Sequence, residues 1–402
     1  MKRTVCVLLI LLISLTGCRD AVSPETTAPP VTASQPAPTE YISVIAPTAP
    51  PETLAPTETQ TLPPPTEPVF DPYKIIETMT VEELVGQLFL ARCPDGGIAE
   101  TELQKYHLGG YILFGRDFEE QTPESVCETI SGYQALSKIP MLIAVDEEGG
   151  TVCRISSRTA FRSSRFQSPR KLYDAGGLDL VLQTEQEKCQ LLTFLGINVN
   201  MAPVCDVTTD PNAFMYSRSL GQDPVTTGQF IAAMVDTMDS GNTGSVLKHF
   251  PGYGNNRDTH TGIAVDNRSL DALEAVDLIP FQAGIDAGCD AILISHTIVT
   301  CLDDTLPASL SPAVISYLRN MMGFEGVVVT DDLVMQAITD QYGSGEAAVL
   351  AVLAGNDLLC SSEYATQYNA VLNAVNSDRI PMEQLKASVA RILLWKHDLS
   401  LI

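Results

Sequence analysis

The chain has 402 residues with 49 acidic against 24 basic side chains, a formal net charge of −25 at pH 7. That balance argues against a nucleic-acid partner, because binding phosphates means displacing counterions with Lys and Arg. It argues equally against docking on anionic lipid through a basic patch. With 45% hydrophobic and 18% charged residues, the length suits one large domain or two small ones.

Lys2 and Arg3 precede an apolar run over 5–15, short for a membrane-spanning helix. The run ends in Leu15-Thr16-Gly17-Cys18, which resembles the bacterial lipobox, where cleavage precedes the cysteine and lipid is attached to it. An ordinary signal peptide with an incidental cysteine would read the same way. Residues 19–72 hold more than half of the 26 prolines, and from Ser23 to Pro72 there is no Lys or Arg. Such a segment buries too little apolar surface to offset its ordering entropy, and its prolines favour an extended spacer. The expected organisation is a lipoprotein signal over 1–18, a disordered Pro/Thr-rich stalk over 19–72 and a folded domain over 73–402. The expected location is extracytoplasmic, anchored through lipid on Cys18 at the cell surface or periplasmic face. Eight further cysteines, from Cys93 to Cys360, are scattered without C-x-x-C spacing. They suit small core positions better than a zinc site, and no metal is expected.

Beyond the stalk, short apolar β-rich runs alternate with longer helical patterns, as in βα units around a parallel sheet. Candidate strands fall at 86–91, 109–114, 140–145, 197–202, 244–249, 291–296, 326–330 and 356–359. Asp223-Pro224 reads as an N-cap followed by proline at the first helical position. Behind it Phe230, Ile231, Met234, Val235 and Met238 recur at helical spacing; Leu385, Val389, Ile392 and Leu393 line a closing helix. Eight such units fit a single (β/α)8 TIM-like barrel. A doubly wound open sheet satisfies the same pattern.

A barrel places its chemistry at the C-terminal ends of its strands. The third candidate ends in Asp146-Glu147-Glu148-Gly149-Gly150, with Arg154 close behind. The fourth ends at Asp206 and the fifth at Lys248-His249, running into Phe250-Pro251-Gly252-Tyr253-Gly254-Asn255-Asn256-Arg257-Asp258-Thr259-His260. His296 closes the sixth and Asp331-Asp332 the seventh. Singly these are cap or turn residues; together they point to a site.

The run 248–262, KHFPGYGNNRDTHTG, resembles the KHFPGHG…D-S-H signature of family 3 glycoside hydrolases of the β-N-acetylhexosaminidase type. The segments 146–154, 218–221 and 329–335 resemble three more of that family's elements, in the same order. The resemblance implies a retaining exo-glycosidase with Asp331 as nucleophile and His260, paired with Asp258, as acid/base. On the residues alone, Asp331 could cap the following helix while Asp332 acts. Asp146, Arg154, Arg218, Lys248 and His249 are implied to bind the sugar, and His296 to be architectural. An ion-pair network of Lys248 and His249 with Asp206 is compatible with sugar contact. The expected substrate is a terminal N-acetylglucosamine-type residue of a peptidoglycan-derived or related glycan, with no cofactor. Two features depart from the family pattern: Gly-Tyr-Gly replaces Gly-His-Gly at 252–254, and the stretch before Asp258 is one residue shorter. The β-glucosidase branch takes its acid/base Glu from a second domain, which is not expected after Ile402. A phosphorylase of the same fold and a sugar-binding lipoprotein without activity are the alternatives.

Overall fold

The computed structural model describes residues 70–254 and 262–402. Eight parallel strands occur among them: β1 (Phe89–Arg92), β2 (Gly110–Leu113), β3 (Leu142–Val145), β4 (Val199–Asn200), β5 (Gly244–Phe250), β6 (Ala291–Ile294), β7 (Val327–Thr330) and β8 (Leu359–Ser361). Each pairs with its sequence neighbour, and β1 also pairs with β8. A bridge between Val329 and Leu358, with the Thr330 amide donating to the Leu358 carbonyl, joins β7 to β8 and closes the ring. The sheet is therefore a barrel and not an open doubly wound sheet.

The strands read as continuous apolar runs because helices cover the outer face while side chains fill the inside. Alternation sorts the two faces. Leu90, Ile112, Ala144, Val246, Leu293 and Val329 belong to an interior cluster that Trp395 and Leu399 of the C-terminal segment help to form. Their neighbours Phe89, Tyr111 and Ile143 belong to a different cluster, packed against the helical layer. The helix Pro224–Ser240 starts where the Asp-Pro pair indicates, its Asp223 carboxylate accepting the Val225 and Thr226 amides. Its five expected apolar residues are buried, as are the four of the closing helix Met382–Asp398.

Boundaries differ from the sequence pattern at both ends of the barrel. β1 begins three residues late because Thr80 and Glu83 form a capping box that starts the helix Val81–Gln87. Gly86 is inside that helix, where an added Cβ would lie 2.2 Å from the Tyr106 carbonyl oxygen. β8 begins at Leu359 and not at Asn356: Asp357 instead accepts from Arg319, Arg391, Ser388 and the Val328 amide, tying β7 to the outer helices. The eight cysteines from Cys93 to Cys360 are free thiols, six of them buried.

Candidate active site

The same alternation that fills the barrel selects the residues at its mouth. Two positions beyond the interior layer stand Arg92, Phe114, Asp146, Lys248, Asp331 and Ser362, and all six line one cavity of about 650 Å³. Parity thus points Asp331 inward; Asp332 also borders the cavity, but its carboxylate is committed to neighbours. Hydrogen bonding agrees. The Asp332 carboxylate accepts the Ser362 hydroxyl at 2.5 Å, the Ser362 amide at 3.1 Å and the Val334 amide at 3.2 Å. Among the described residues, the Asp331 carboxylate accepts only the Asp332 amide, at 2.8 Å. His296 holds the strand end from below: Nε2 donates to the Asp332 carbonyl at 3.0 Å, while Nδ1 lies 2.7 Å from the Ser309 hydroxyl.

Across the mouth, the segment after β3 makes a tight hairpin, Glu147–Gly149 against Val152–Cys153. Gly149 has φ +103° and backs onto the Gln167 carbonyl at 2.3 Å from an added Cβ, so only glycine fits. The Glu147 carboxylate is consumed locally. It accepts the Arg154 and Ile155 amides at 2.8 Å and the Ser156 amide and hydroxyl, which pins the loop. That places Arg154 beside Asp146, Nη2 to Oδ2 3.5 Å.

Glu148, 4% exposed, is the hub of the site. Arg218 grips it in bidentate fashion, with Nη2 at 2.6 Å and Nε at 2.9 Å. Lys248 Nζ lies 2.6 Å from the same carboxylate and 2.7 Å from Asp146 Oδ1. Burial alone would push the Glu148 carboxyl up, but Lys248 and Arg218 outweigh it and hold it well below the usual range. Asp146 is lowered in the same way: Lys248 and Arg154 overcome its burial. Burial would lower Lys248, yet Asp146 and Glu148 raise it. The wall is therefore fully ionised, with charged donors and acceptors fixed before any ligand arrives.

His249 completes it. Nδ1 lies 2.8 Å from Asp206 Oδ2, and Nε2 lies 3.2 Å from Arg218 Nη2. A guanidinium can only donate, so Nε2 accepts from Arg218 and Nδ1–H donates to Asp206. Asp206 also accepts the Tyr253 amide at 2.7 Å, which fixes the turn after β5. Tyr253, in place of the expected histidine, is buried edge-on to His249, with centroids 5.2 Å apart.

Of the residues singled out from the sequence, Asp146, Arg154, Arg218, Lys248, His249 and Asp331 converge on this cavity. Asp258 and His260 fall in 255–261, and Cys18 in 1–69, outside the described residues. Sequence reasoning misses the hub role of Glu148, along with Arg92 and Phe114. Arg92 and Arg154 both lie over the Phe114 ring, 4.9 and 5.5 Å from its centroid. The signal that could have found them is positional, since each of the three stands at or just past the end of an apolar run.

An inward carboxylate on the seventh strand, facing a pre-charged polar wall in a closed (β/α)8 barrel, is the arrangement of a glycoside hydrolase. The chain belongs to glycosyl hydrolase family 3, whose N-terminal domain model matches residues 80–394. Among its relatives, Beta-hexosaminidase LpqI of Mycobacterium tuberculosis is 30% identical over 338 residues, covering 81% of this chain and 85% of that protein. A Beta-hexosaminidase of Stenotrophomonas maltophilia is 35% identical over 317 residues, covering 73% and 90%. The solved family 3 beta-N-acetylglucosaminidase of a Paenibacillus species superposes with a TM-score of 0.76 at 31% identity, covering 81% of this chain and 63% of that one.

Proposed function

We propose that this chain is a retaining β-N-acetylhexosaminidase that removes terminal N-acetylglucosamine-type residues from peptidoglycan-derived or related glycans. The observation that carries the reading is Asp331, aimed into the cavity with its carboxylate uncommitted to any side chain among the described residues, opposite the Asp146–Lys248–Glu148–Arg218 wall. A sugar held by that wall would present its anomeric carbon to Asp331. Attack forms a covalent glycosyl-enzyme, and water then releases the sugar with its configuration retained. His260 protonates the leaving oxygen and takes a proton from the incoming water; imidazole suits both tasks near neutral pH. Asp258 would orient the ring and stabilise its cation, as the carboxylate does in a hydrolase triad. Charged donors and acceptors already in place need no reorganisation as positive charge develops on the sugar ring.

The N-terminal residues support export and anchoring through lipid on Cys18, with 19–72 as the stalk. More than one acyl chain on that cysteine would give stable attachment.

The deciding experiment is turnover of 4-nitrophenyl N-acetyl-β-glucosaminide beside the matching glucoside. Release from the N-acetyl substrate is expected, as free sugar, at a rate insensitive to added phosphate at constant ionic strength. Activity on the glucoside alone would overturn the substrate assignment. The sugar 1-phosphate as main product would overturn hydrolysis.

A further inference from the structure

Asp258 and His260 lie between two described limbs: Pro251–Gly254 leaving β5, and a return beginning at Gly262. One ion-pair cluster touches both. Arg268 donates through Nη1 to Asp277 Oδ2 at 2.5 Å, and through Nη2 to Asp266 Oδ2 at 2.7 Å. Its Nε and its own backbone amide also reach Asp266, each at 3.0 Å. Asp277 is 1% exposed, and Asp266 is 3% exposed.

The outgoing limb rests on the same pair. A Cβ at Gly252 would stand 2.5 Å from Asp277 Oδ1, and one at Gly254 would stand 2.5 Å from Arg268 Nη2. Both glycines have positive φ, +117° and +53°, so the chain lies flat on this pair only because no side chain intervenes. The returning limb is the strand Val265–Asp266, paired with Ile298–Val299. Asp266 there is held by Arg268 from the side and by the Thr300 amide through its carbonyl. One guanidinium therefore packs against the departing limb and is bonded to the returning one, on either side of the segment that carries the acid/base pair.

We propose that Arg268 and Asp277 are positioning residues for the acid/base: they fix the two points between which Asp258 and His260 are carried. This rests on the assignment of His260 given above. A displacement of about 1 Å in a reacting group can cost on the order of 10²-fold in rate. General acid–base catalysis itself contributes about 10²–10⁴-fold. Loosening the clasp should therefore forfeit part of that contribution while leaving Asp331 in place. A brace that serves stability alone would lower the unfolding midpoint without changing how rate depends on the leaving group.

The test compares 2,4-dinitrophenyl with 4-methoxyphenyl N-acetyl-β-glucosaminide in Arg268→Gln, Arg268→Lys, Asp277→Asn and His260→Ala, with azide as a competing nucleophile. Arg268→Gln is expected to lose about 10–100-fold in kcat/KM on the poor leaving group, and less than about threefold on the activated one. Azide should accelerate its turnover of the activated substrate, because attack by azide needs no general base. Arg268→Lys, which keeps the charge but cannot bridge two carboxylates, should fall between parent and Gln. Asp277→Asn keeps the side-chain shape and leaves Arg268 on Asp266, and serves if Arg268→Gln does not fold. Equal losses on both substrates in folded Gln and Asn variants, or no loss on either, would overturn the proposal. Absence of a leaving-group effect in His260→Ala would remove the acid/base assignment itself, and this inference with it.

Discussion

Glu148→Gln tests whether the ionised wall organises the sugar site. The substitution preserves shape but leaves Lys248 with Asp146 as its paired carboxylate and Arg218 with none among the described residues. Three charge-assisted contacts are affected, at 2.6, 2.9 and 2.6 Å. Removing one member of a buried ion-pair cluster costs about 3–5 kcal/mol, because the partners stay buried. The glutamine oxygen still accepts one bond, so the lower end, about 3 kcal/mol at pH 7, is expected. The pH dependence has a definite sign. The folded carboxyl is held below its unfolded value of 4.5, so its stabilisation is complete above that value and fades as pH falls through the folded one. Urea unfolding should therefore show a gap between parent and variant that is constant near neutrality and narrows below about pH 4.5. Kinetically, Lys248 and Arg218 would lose their shared counter-charge and drift from the sugar, lowering kcat/KM by about 10²-fold. A variant within about 0.5 kcal/mol of the parent, with unchanged kcat/KM, would refute the claim that this network organises the site.

Asp331→Asn should lower turnover by at least about 10³-fold on every substrate while leaving the unfolding midpoint nearly unmoved, since its one described hydrogen bond survives. Asp332→Ala should instead destabilise by about 1–3 kcal/mol, because it leaves the Ser362 and Val334 amides without their acceptor; stability equal to that of Asp331→Asn would contradict the division of roles. Lys396 is fully buried against Gln87 Oε1 at 2.7 Å, and burial pushes it down to about 7. The unfolded chain then binds the extra proton above that pH, so parent stability should rise by about 1.4 kcal/mol per pH unit from 7 towards 10. Lys396→Met should abolish that slope in urea unfolding. Cys18→Ser should prevent incorporation of a radiolabelled fatty acid; equal labelling of variant and parent would rule out the anchor.

The residue types of the site are legible in the sequence because the barrel imposes a local rule. Polar residues that stop an apolar run mark strand ends, and strand ends mark the mouth. Asp146, Lys248, His249 and Asp331 all follow from it, and resemblance to one family supplies the roles proposed for them. Helix starts are legible too where a cap announces itself, as at Asp223-Pro224. The Thr80/Glu83 box is equally present in the sequence, but the apolar run after Gly86 obscures it, which is why the pattern puts β1 three residues too early.

Three things are decided by tertiary structure alone. It closes the sheet, through Val329 and Leu358. It leaves the Asp331 carboxylate open to the barrel mouth while engaging that of Asp332 with Ser362 and Val334, which depends on the position of β8 beside β7. And it makes Glu148 the hub, joining it to Arg218 across 70 residues of chain, just as Lys248 meets Asp146 across 102. The physical reason is common to all three. Local pattern records which face of an element is apolar, since that preference acts residue by residue along the chain. Ring closure and the sharing of a buried carboxylate between two cations depend on distances between remote segments, which only the packed barrel brings into being.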